Sequence, residues 1–358
     1  MTVPSTPFPA SPNSMPHHVD SKLPVPIRRA SRHWVIVETL RGTESASVIA
    51  DGGYRRNFAN LNRVTIATSA AIARRLRPLV VRSAISRSTQ FDEIALSSGA
   101  ALRILAVPVF GPAGTVFGVS LWAGPPDAND LQRPTVGVIE WDRVTGRAAV
   151  STTLGRQLEL TSTEDLYFTP LPRLMSCFDR WDDRAGFLSL FDHDNPTKNW
   201  IGTATTQSRS GARQLLRIAA KVSPTQSSVR AIVWNLPDAD SAPAPDYLSA
   251  ALRSLPLAPD HAIGIMDLKS SLIHEWVDPS RNLSSQRHQP PWIHPADRAT
   301  TTTTCRQLLA GHSRITSRFR ITRDHDEWIT VRAHWTLICP GTRPQALIDI
   351  APRHGRRR

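Results

Sequence analysis

The sequence predicts an α+β fold of three consecutive units, each an antiparallel sheet with helices packed on one face. Three observations predict it. An apolar strand opening recurs at Trp34-Val35-Ile36-Val37-Glu38, at Val136-Gly137-Val138-Ile139-Glu140-Trp141-Asp142 and at Ala262-Ile263-Gly264-Ile265-Met266-Asp267. Each opening is answered further along by a strand, a turn and a second strand: from Leu102 to Trp122, from Leu216 to Trp234, and from Ile329 to Ile350. Stretches rich in Pro, Asp and Ala separate the copies, around 123–134 and 237–245. A repeat at this period fixes architecture before any single motif does.

Taken in order, residues 1–30 combine Pro and Ser without apolar periodicity and read as a disordered leader. The first unit, 31–125, opens with a strand at Trp34 to Leu40. Thr68 or Ser69 can cap a following helix, along which Ile72, Leu76, Val80 and Ile85 recur near a 3.6 period. Pro78 should kink or divide that helix. Strands follow at Phe91 to Leu96, Leu102 to Val109 and Thr115 to Trp122, the last two joined by Gly111-Pro112-Ala113-Gly114.

The second unit, 134–237, begins with two strands around Arg143-Val144-Thr145-Gly146. Helical stretches are expected between Ser162 and Asp179, interrupted at Pro170 and Pro172. Strands then run near Trp200 to Gln207, Arg213 to Val222 and Val229 to Leu236, the last pair turning through 223–227. The segment 238–259 is a linker with a short helix, Tyr247 to Leu255. The third unit, 260–352, has strands at His261 to Leu268 and Leu272 to Val277. Pro295 then opens a helix and Gly311 closes it, the two residues best tolerated at those ends. Three strands complete the unit: Ser313 to Thr322, Glu327 to Ile338 and Gln345 to Ala351. In the middle one, Ile329, Val331, Ala333, Trp335 and Leu337 share a face, with Thr330, Arg332, His334 and Thr336 on the other. Such alternation marks a half-buried strand. Residues 353–358 form a basic tail.

A chain of 358 residues suits two to three domains at ~100–200 residues each. No stretch reaches the ~18 uncharged apolar residues of a membrane span. Residues 1–20 lack the apolar core of a secretory signal, so a cytoplasmic protein is expected. Cys177, Cys305 and Cys339 are odd in number and scattered, which favours buried free thiols over a disulfide or zinc site. The net charge of +13 rests on arginine, since only four of the 43 basic residues are lysines. Enrichment in Arg, Ala and Pro is what a GC-rich coding sequence produces. The alternative is a surface that meets a polyanion through Arg74-Arg75-Leu76-Arg77 and the tail His354-Gly355-Arg356-Arg357-Arg358. Neither segment interleaves aromatics or forms a recognition-helix pattern, so nucleic acid is disfavoured as a partner.

The run Trp292-Ile293-His294-Pro295-Ala296-Asp297-Arg298, a helix ending at Gly311 and three long strands make the third unit resemble a PAS domain. The first two units are similar to PAS or GAF domains in element order. The whole chain resembles a three-domain actinobacterial, mycobacterial-type family of uncharacterised GAF- or PAS-domain-containing proteins. That likeness rests on His33-Trp34-Val35-Ile36-Val37-Glu38-Thr39-Leu40, on Gly118-Val119-Ser120-Leu121-Trp122-Ala123-Gly124-Pro125, and on His294-Pro295. The resemblance implies cytosolic sensing or regulation through bound small molecules or protein partners. It supplies no catalytic residues.

The residues themselves weigh each candidate site. His294 could ligate haem iron, but Pro295 and Asp297 read as the start of a helix, with Asp297 complementing its positive end. Cys305 lies in Thr304-Cys305-Arg306-Gln307, which departs from the reactive run of light-sensing flavin domains, so it reads as a small buried residue. Trp122 and Trp234 occupy matching repeat positions and read as structural anchors. Trp276, Trp292 and Trp335, with Cys305, Leu308 and Phe319, are the candidate wall of an apolar cavity in the third unit; ordinary core packing is the competing reading. Asp179, Asp182 and Asp183, mixed with Arg180 and Arg184 around Trp181, read as a solvated segment rather than a carboxylate or metal site. His193-Asp194 is weaker still. No nucleophile elbow, phosphate-binding loop, zinc-protease helix or kinase motif occurs.

The expectation is a non-enzymatic sensory or regulatory protein with no resident cofactor. A protein partner and a small apolar molecule are its expected ligands, and a homo-oligomer is compatible with the sequence.

Overall fold

Three antiparallel sheets and a few helices give the chain an α+β architecture. The computed structural model describes residues 34–96, 99–128, 133–160, 162–192, 194, 197–207, 213–223, 227–236, 243, 244, 246, 261–277, 291–324 and 327–352. The expected leader, the helix over Tyr247 to Leu255, most of the turn at 223–227, His193 and the basic tail lie outside the described residues.

The first sheet contains β1 (Val35–Glu38), β2 (Ser47–Asp51), β3 (Tyr54–Ala59), β4 (Gln90–Ala95), β5 (Ala101–Phe110) and β6 (Val116–Gly124), in the order β3-β2-β1-β6-β5-β4. Helix α1 (Ala70–Ser86) connects β3 to β4. The second sheet contains β7 (Val136–Asp142), β8 (Arg147–Val150), β9 (Thr169–Pro170), β10 (Arg180–Trp181), β11 (Asn199–Gln207), β12 (Arg213–Ser223) and β13 (Ser228–Asn235), in the order β10-β11-β12-β13-β7-β8-β9. Short helices α2 (Thr152–Gln157), α3 (Thr163–Tyr167), α4 (Leu171–Ser176) and α5 (Arg184–Leu188) fall between its strands. The third sheet contains β14 (Ala262–Asp267), β15 (Leu272–Val277), β16 (Arg314–Asp324), β17 (Glu327–Cys339) and β18 (Gln345–Pro352), in the order β15-β14-β18-β17-β16, with α6 (Arg298–Leu309) before β16. In all three, the opening strand is interior and pairs with the last: β1 with β6, β7 with β13, β14 with β18.

Local sequence explains the boundaries. The Ser69 hydroxyl accepts from the Ile72 amide at 3.3 Å and caps α1. Pro78 does not divide the helix, which runs through it. Pro78 sits on the exposed face, where water can take the carbonyl its missing N–H abandons. Ile85 is not on the core face: it is 74% exposed, and Ser83 is the buried residue of that turn. Pro172 does not interrupt a helix but lies in the first turn of α4, which Pro170 precedes as N-cap. An amide there has no intrahelical partner to lose. The expected first linker begins too early, because Ala123 and Gly124 still belong to β6.

The β period of two sorts side chains into layers. From β1, Val35 and Val37 pack with Ile72, Leu76, Leu79 and Val80 of α1. Ile36, between them, turns the other way, joining Leu40, Ile49 and Phe117 against Val138, Ala219, Ile232 and Trp234 of the second sheet. The first two sheets are thus stacked face to face. The far side of the second sheet buries Trp141, Leu216 and Ile218 against Leu154, Leu171, Leu174 and Phe187 of its helices. In β17, Val331, Ala333 and Trp335 are buried while Arg332 and His334 are exposed, the expected alternation. Cys305 and Leu308 of α6 share that core. Trp122 and Trp234 are both buried, as anchors should be. The indoles of Trp122 and Trp200 lie across Gly124 and Gly202, where a Cβ would collide with the ring. Among the described residues no helix is long and apolar enough to cross a membrane.

Candidate functional site

A cleft of about 130 Å³ separates the second and third sheets' helical regions. Two turns build its walls. After β7, the Asp142 carboxylate accepts from the amides of Val144 (3.0 Å) and Thr145 (2.6 Å), and Gly146 takes φ +68°. This aspartate turn sets Val144 and Thr145 on the rim. After β14, Asp267 accepts from the amide of Ser270 at 2.8 Å and its hydroxyl at 2.6 Å. That turn presents Ser270, Ser271 and Leu272 to the same space. Leu171 and Pro172 of α4 form part of the apolar wall, and Leu272 reaches into the second sheet's core.

Trp292 closes one side. Its amide donates to Thr322 Oγ1 at 3.1 Å and its carbonyl accepts from the Thr322 amide at 3.0 Å. The guanidinium of Arg147, at the start of β8, lies 3.5 Å from the Trp292 ring centroid. Arg298, the first residue of α6, lines the cleft beside Thr301 and Thr302. Burial lowers the pKa of Arg147 and of Arg298. The charge of Arg298 lowers Arg147 further, and Asp142 opposes both shifts. Neither guanidinium forms an ion pair or hydrogen bond among the described residues.

The six residues proposed as a cavity wall separate in the structure. Cys305, Leu308, Phe319 and Trp335 are 1%, 1%, 2% and 0% exposed and, with Trp276, form one packed core. Trp335 donates from Nε1 to Ser317 Oγ at 2.7 Å and meets Phe319 edge-on at 6.0 Å. Trp276 lies opposite Gly264 across the ladder. Only Trp292 of the six lines the cleft.

Beside the cleft, ionic contacts hold the third unit to the second. Arg343, in the turn between β17 and β18, donates to both Asp192 oxygens (3.0 and 2.8 Å), to the Leu188 carbonyl (2.8 Å) and to Asp267 (2.7 Å). Arg184 pairs with Glu275. His274 on β15 is completely buried beside them, and among the described residues neither ring nitrogen has a hydrogen-bond partner. Burial, then the charges of Arg184 and Arg343, push its pKa down to about 3. Burial raises the pKa of Asp267, against the pull of Arg343.

Several polar readings need correction. Asp297 sits at the N-cap of α6 but makes no side-chain capping bond. It accepts instead from the Arg320 amide and guanidinium, three contacts of 2.8 Å each, and these bonds lower its pKa. His294 does the local capping, Nδ1 accepting from the Ala296 amide at 3.0 Å. The acidic cluster is not merely solvated. Asp179 pairs with Arg213, Asp182 accepts from the Thr203 hydroxyl, and Asp183 caps α5 while accepting from Trp200 Nε1 at 2.9 Å. These bonds pin β10 to the sheet because each acid faces a donor on the neighbouring strands. All three cysteines are free, but Cys339 is exposed, at the outer end of β17. Burial raises the thiol pKa of Cys177 and of Cys305 to about 11. Among the described residues no three of His, Cys, Asp and Glu gather closely enough to hold a metal ion.

Sequence reasoning reached Trp292 but passed over Arg298 in the cleft wall and Arg147 against the Trp292 ring. The only hint was position: each directly follows a recognisable turn or helix-start run.

Residues 33–131 match the family model described as Rv3651-like, N-terminal. A crystal structure of an uncharacterised protein from Mycobacterium tuberculosis is similar across most of its length. Its TM-score is 0.67 at 18% identity, covering 90% of this chain and 96% of that one. An RNA-binding light-oxygen-voltage receptor reaches a TM-score of 0.24 at 9% identity, covering 61% of this chain and 93% of its own. The periplasmic sensory domain of the Campylobacter jejuni chemoreceptor Tlp1 reaches 0.18 at 12%, covering 61% and 77%. Likeness that slight carries no argument. Comparison with curated proteins gave no match. The first sheet and its helix therefore lie in an Rv3651-like N-terminal region, and the chain as a whole shares the fold of the mycobacterial protein.

Proposed function

We propose that this chain is a non-catalytic, cytoplasmic sensory or regulatory protein of three PAS/GAF-like units, and that it binds a small molecule in the cleft between the second and third. One observation carries the reading: the cleft's walls come from both units. A ligand held there has different contacts in different arrangements of the units, which is the condition for shifting their populations. The repeated pairing of first with last strand supports descent of the units from one module. The His294-Pro295-x-Asp297-Arg298 run before α6 supports the PAS-like assignment of the third. A protein partner reads the change in arrangement.

The cleft also sets the ligand's size. A cavity of ~150 Å³ holds one benzene, so about 130 Å³ suits a single ring or a short branched chain. Flavins and haem are far larger. Native mass spectrometry of the full chain should show a small co-purified mass that is lost on mild denaturation. A panel of single-ring and branched-chain metabolites should contain members that raise the melting temperature of the wild type and not of Trp292→Ala. Bare apo mass together with a flat panel would remove this reading.

A further inference from the structure

We propose that the cleft takes a small carboxylate with an apolar body, its anionic end held by Arg298, with the charge of Arg147 close behind. The proposal rests on the cleft being a ligand site and names the class of ligand.

The arginines of the second and third units fall into two groups. Arg184, Arg213, Arg230, Arg320 and Arg343 each meet a carboxylate within 3.2 Å. Among the described residues Arg147 and Arg298 meet none, although both are half-buried and near enough for the charge of one to depress the other. Among the described residues the acid acting on both is Asp142, and its Oδ1 is committed to the amides of Val144 and Thr145. Two partly desolvated cations with so little compensation form a site where an anion gains more than it would in water. Arg147 has a fixed seat over Trp292, so its guanidinium is held in place before any ligand arrives.

Other features point the same way. Arg298 begins α6, whose twelve residues aim their positive end at the cleft. The Asp297 carboxylate, which would otherwise neutralise that end, is turned away to Arg320. Thr302 adds a hydroxyl at the wall. Leu171, Leu272 and Ile273 add hydrocarbon to the same wall. Charge and hydrocarbon within one cleft of this volume match a monocyclic aromatic or branched short-chain carboxylate.

Calorimetric titration of the full chain with benzoate and 3-methylbutanoate tests the assignment, with benzamide as neutral isostere and inorganic phosphate as bare anion. Benzoate or 3-methylbutanoate should bind at least about tenfold more tightly than benzamide and phosphate. Arg298→Gln should erase that preference, Arg298→Lys should keep part of it, and both variants should melt as the wild type does without ligand. Equal binding of benzoate and benzamide, blocked by a cleft-filling Thr302→Trp, would keep the cleft as a ligand site and discard the anion. Binding by phosphate alone would make the arginines a general anion site and overturn the proposal. So would no response to any probe, or benzoate binding that Arg298→Gln leaves intact.

Discussion

Glu38 of β1 and Lys221 of β12 meet at 2.6 Å between two stacked sheets, with side chains 0% and 7% exposed. Glu38 also accepts from the Leu40 amide at 3.0 Å and from the Ser47 hydroxyl. Lys221 lies 4.7 Å from the Phe58 ring centroid. Hydrocarbon from both sheets surrounds the pair. Arginines add further links between the first two units: Arg41 to the Val222 and Lys198 carbonyls, Arg217 to Asn57 and Arg230 to the Leu40 carbonyl.

Removing one partner strands the other charge. Lys221→Met and Glu38→Gln should each destabilise the chain by about 3–5 kcal/mol. The double variant Glu38→Gln/Lys221→Met should cost clearly less than the two single losses added together, because no charge is left buried. Urea denaturation of the four proteins measures this. Simple additivity would show that the pair is not coupled.

Arg343 does the corresponding work between the second and third units, with three acceptors besides Asp267. Arg343→Ala leaves the Asp267 carboxylate buried without its cation and should cost about 3–5 kcal/mol. Arg343→Lys should recover little, since a lysine cannot span the two Asp192 oxygens and the Leu188 carbonyl together. The third unit should then melt separately, giving two calorimetric transitions where the wild type gives fewer. An unchanged melting profile would show that the ionic junction does not couple the units.

The same junction should sense acid. His274 is neutral in the fold, with its pKa near 3, below the ~6.5 of an exposed imidazole. Between those values the unfolded chain binds the extra proton, so stability falls as pH drops from about 6.5 toward 3. The slope from this one group is at most about 1.4 kcal/mol per pH unit. It is fully stabilising above that window. Asp267 acts in the opposite sense: its raised pKa means the fold gains a proton first as pH falls, which stabilises there. His274→Gln should flatten the decline above pH 5, where carboxylates contribute least. An identical pH profile in that variant would assign the acid sensitivity to other groups.

Much of the third unit is legible in sequence because its signals are local. Pro295, Gly311 and the alternation from Ile329 to Leu337 each act within a few residues, and the strands fall where those residues place them. The β2–β3 hairpin is not legible. Tyr54, Arg55, Arg56 and Asn57 form an edge strand that buries little, so no apolar alternation marks it. The cleft is harder still. Thr145 and Arg298 are brought together by two packed units, and no spacing within either announces it. Nor does pattern distinguish a cavity wall from a core, because Trp276, Trp335 and Phe319 would be apolar and inward in both.

Trp335 and Trp292 separate those two roles by measurement. Trp335 has no exposed surface and fills the third unit's interior. Trp335→Ala deletes an indole from a packed core and should cost about 3–5 kcal/mol. Trp292 is half-buried on a rim, with Arg147 on its face. Trp292→Ala should cost only about 1 kcal/mol, chiefly the lost stacking, while abolishing ligand-induced stabilisation. Denaturant unfolding with and without ligand gives both numbers for each variant. Had Trp335 lined an open cavity, its removal would be cheap and would weaken binding. A small loss of stability with a large loss of affinity at Trp335, and the reverse at Trp292, would move the ligand site from the junction into the third unit's interior.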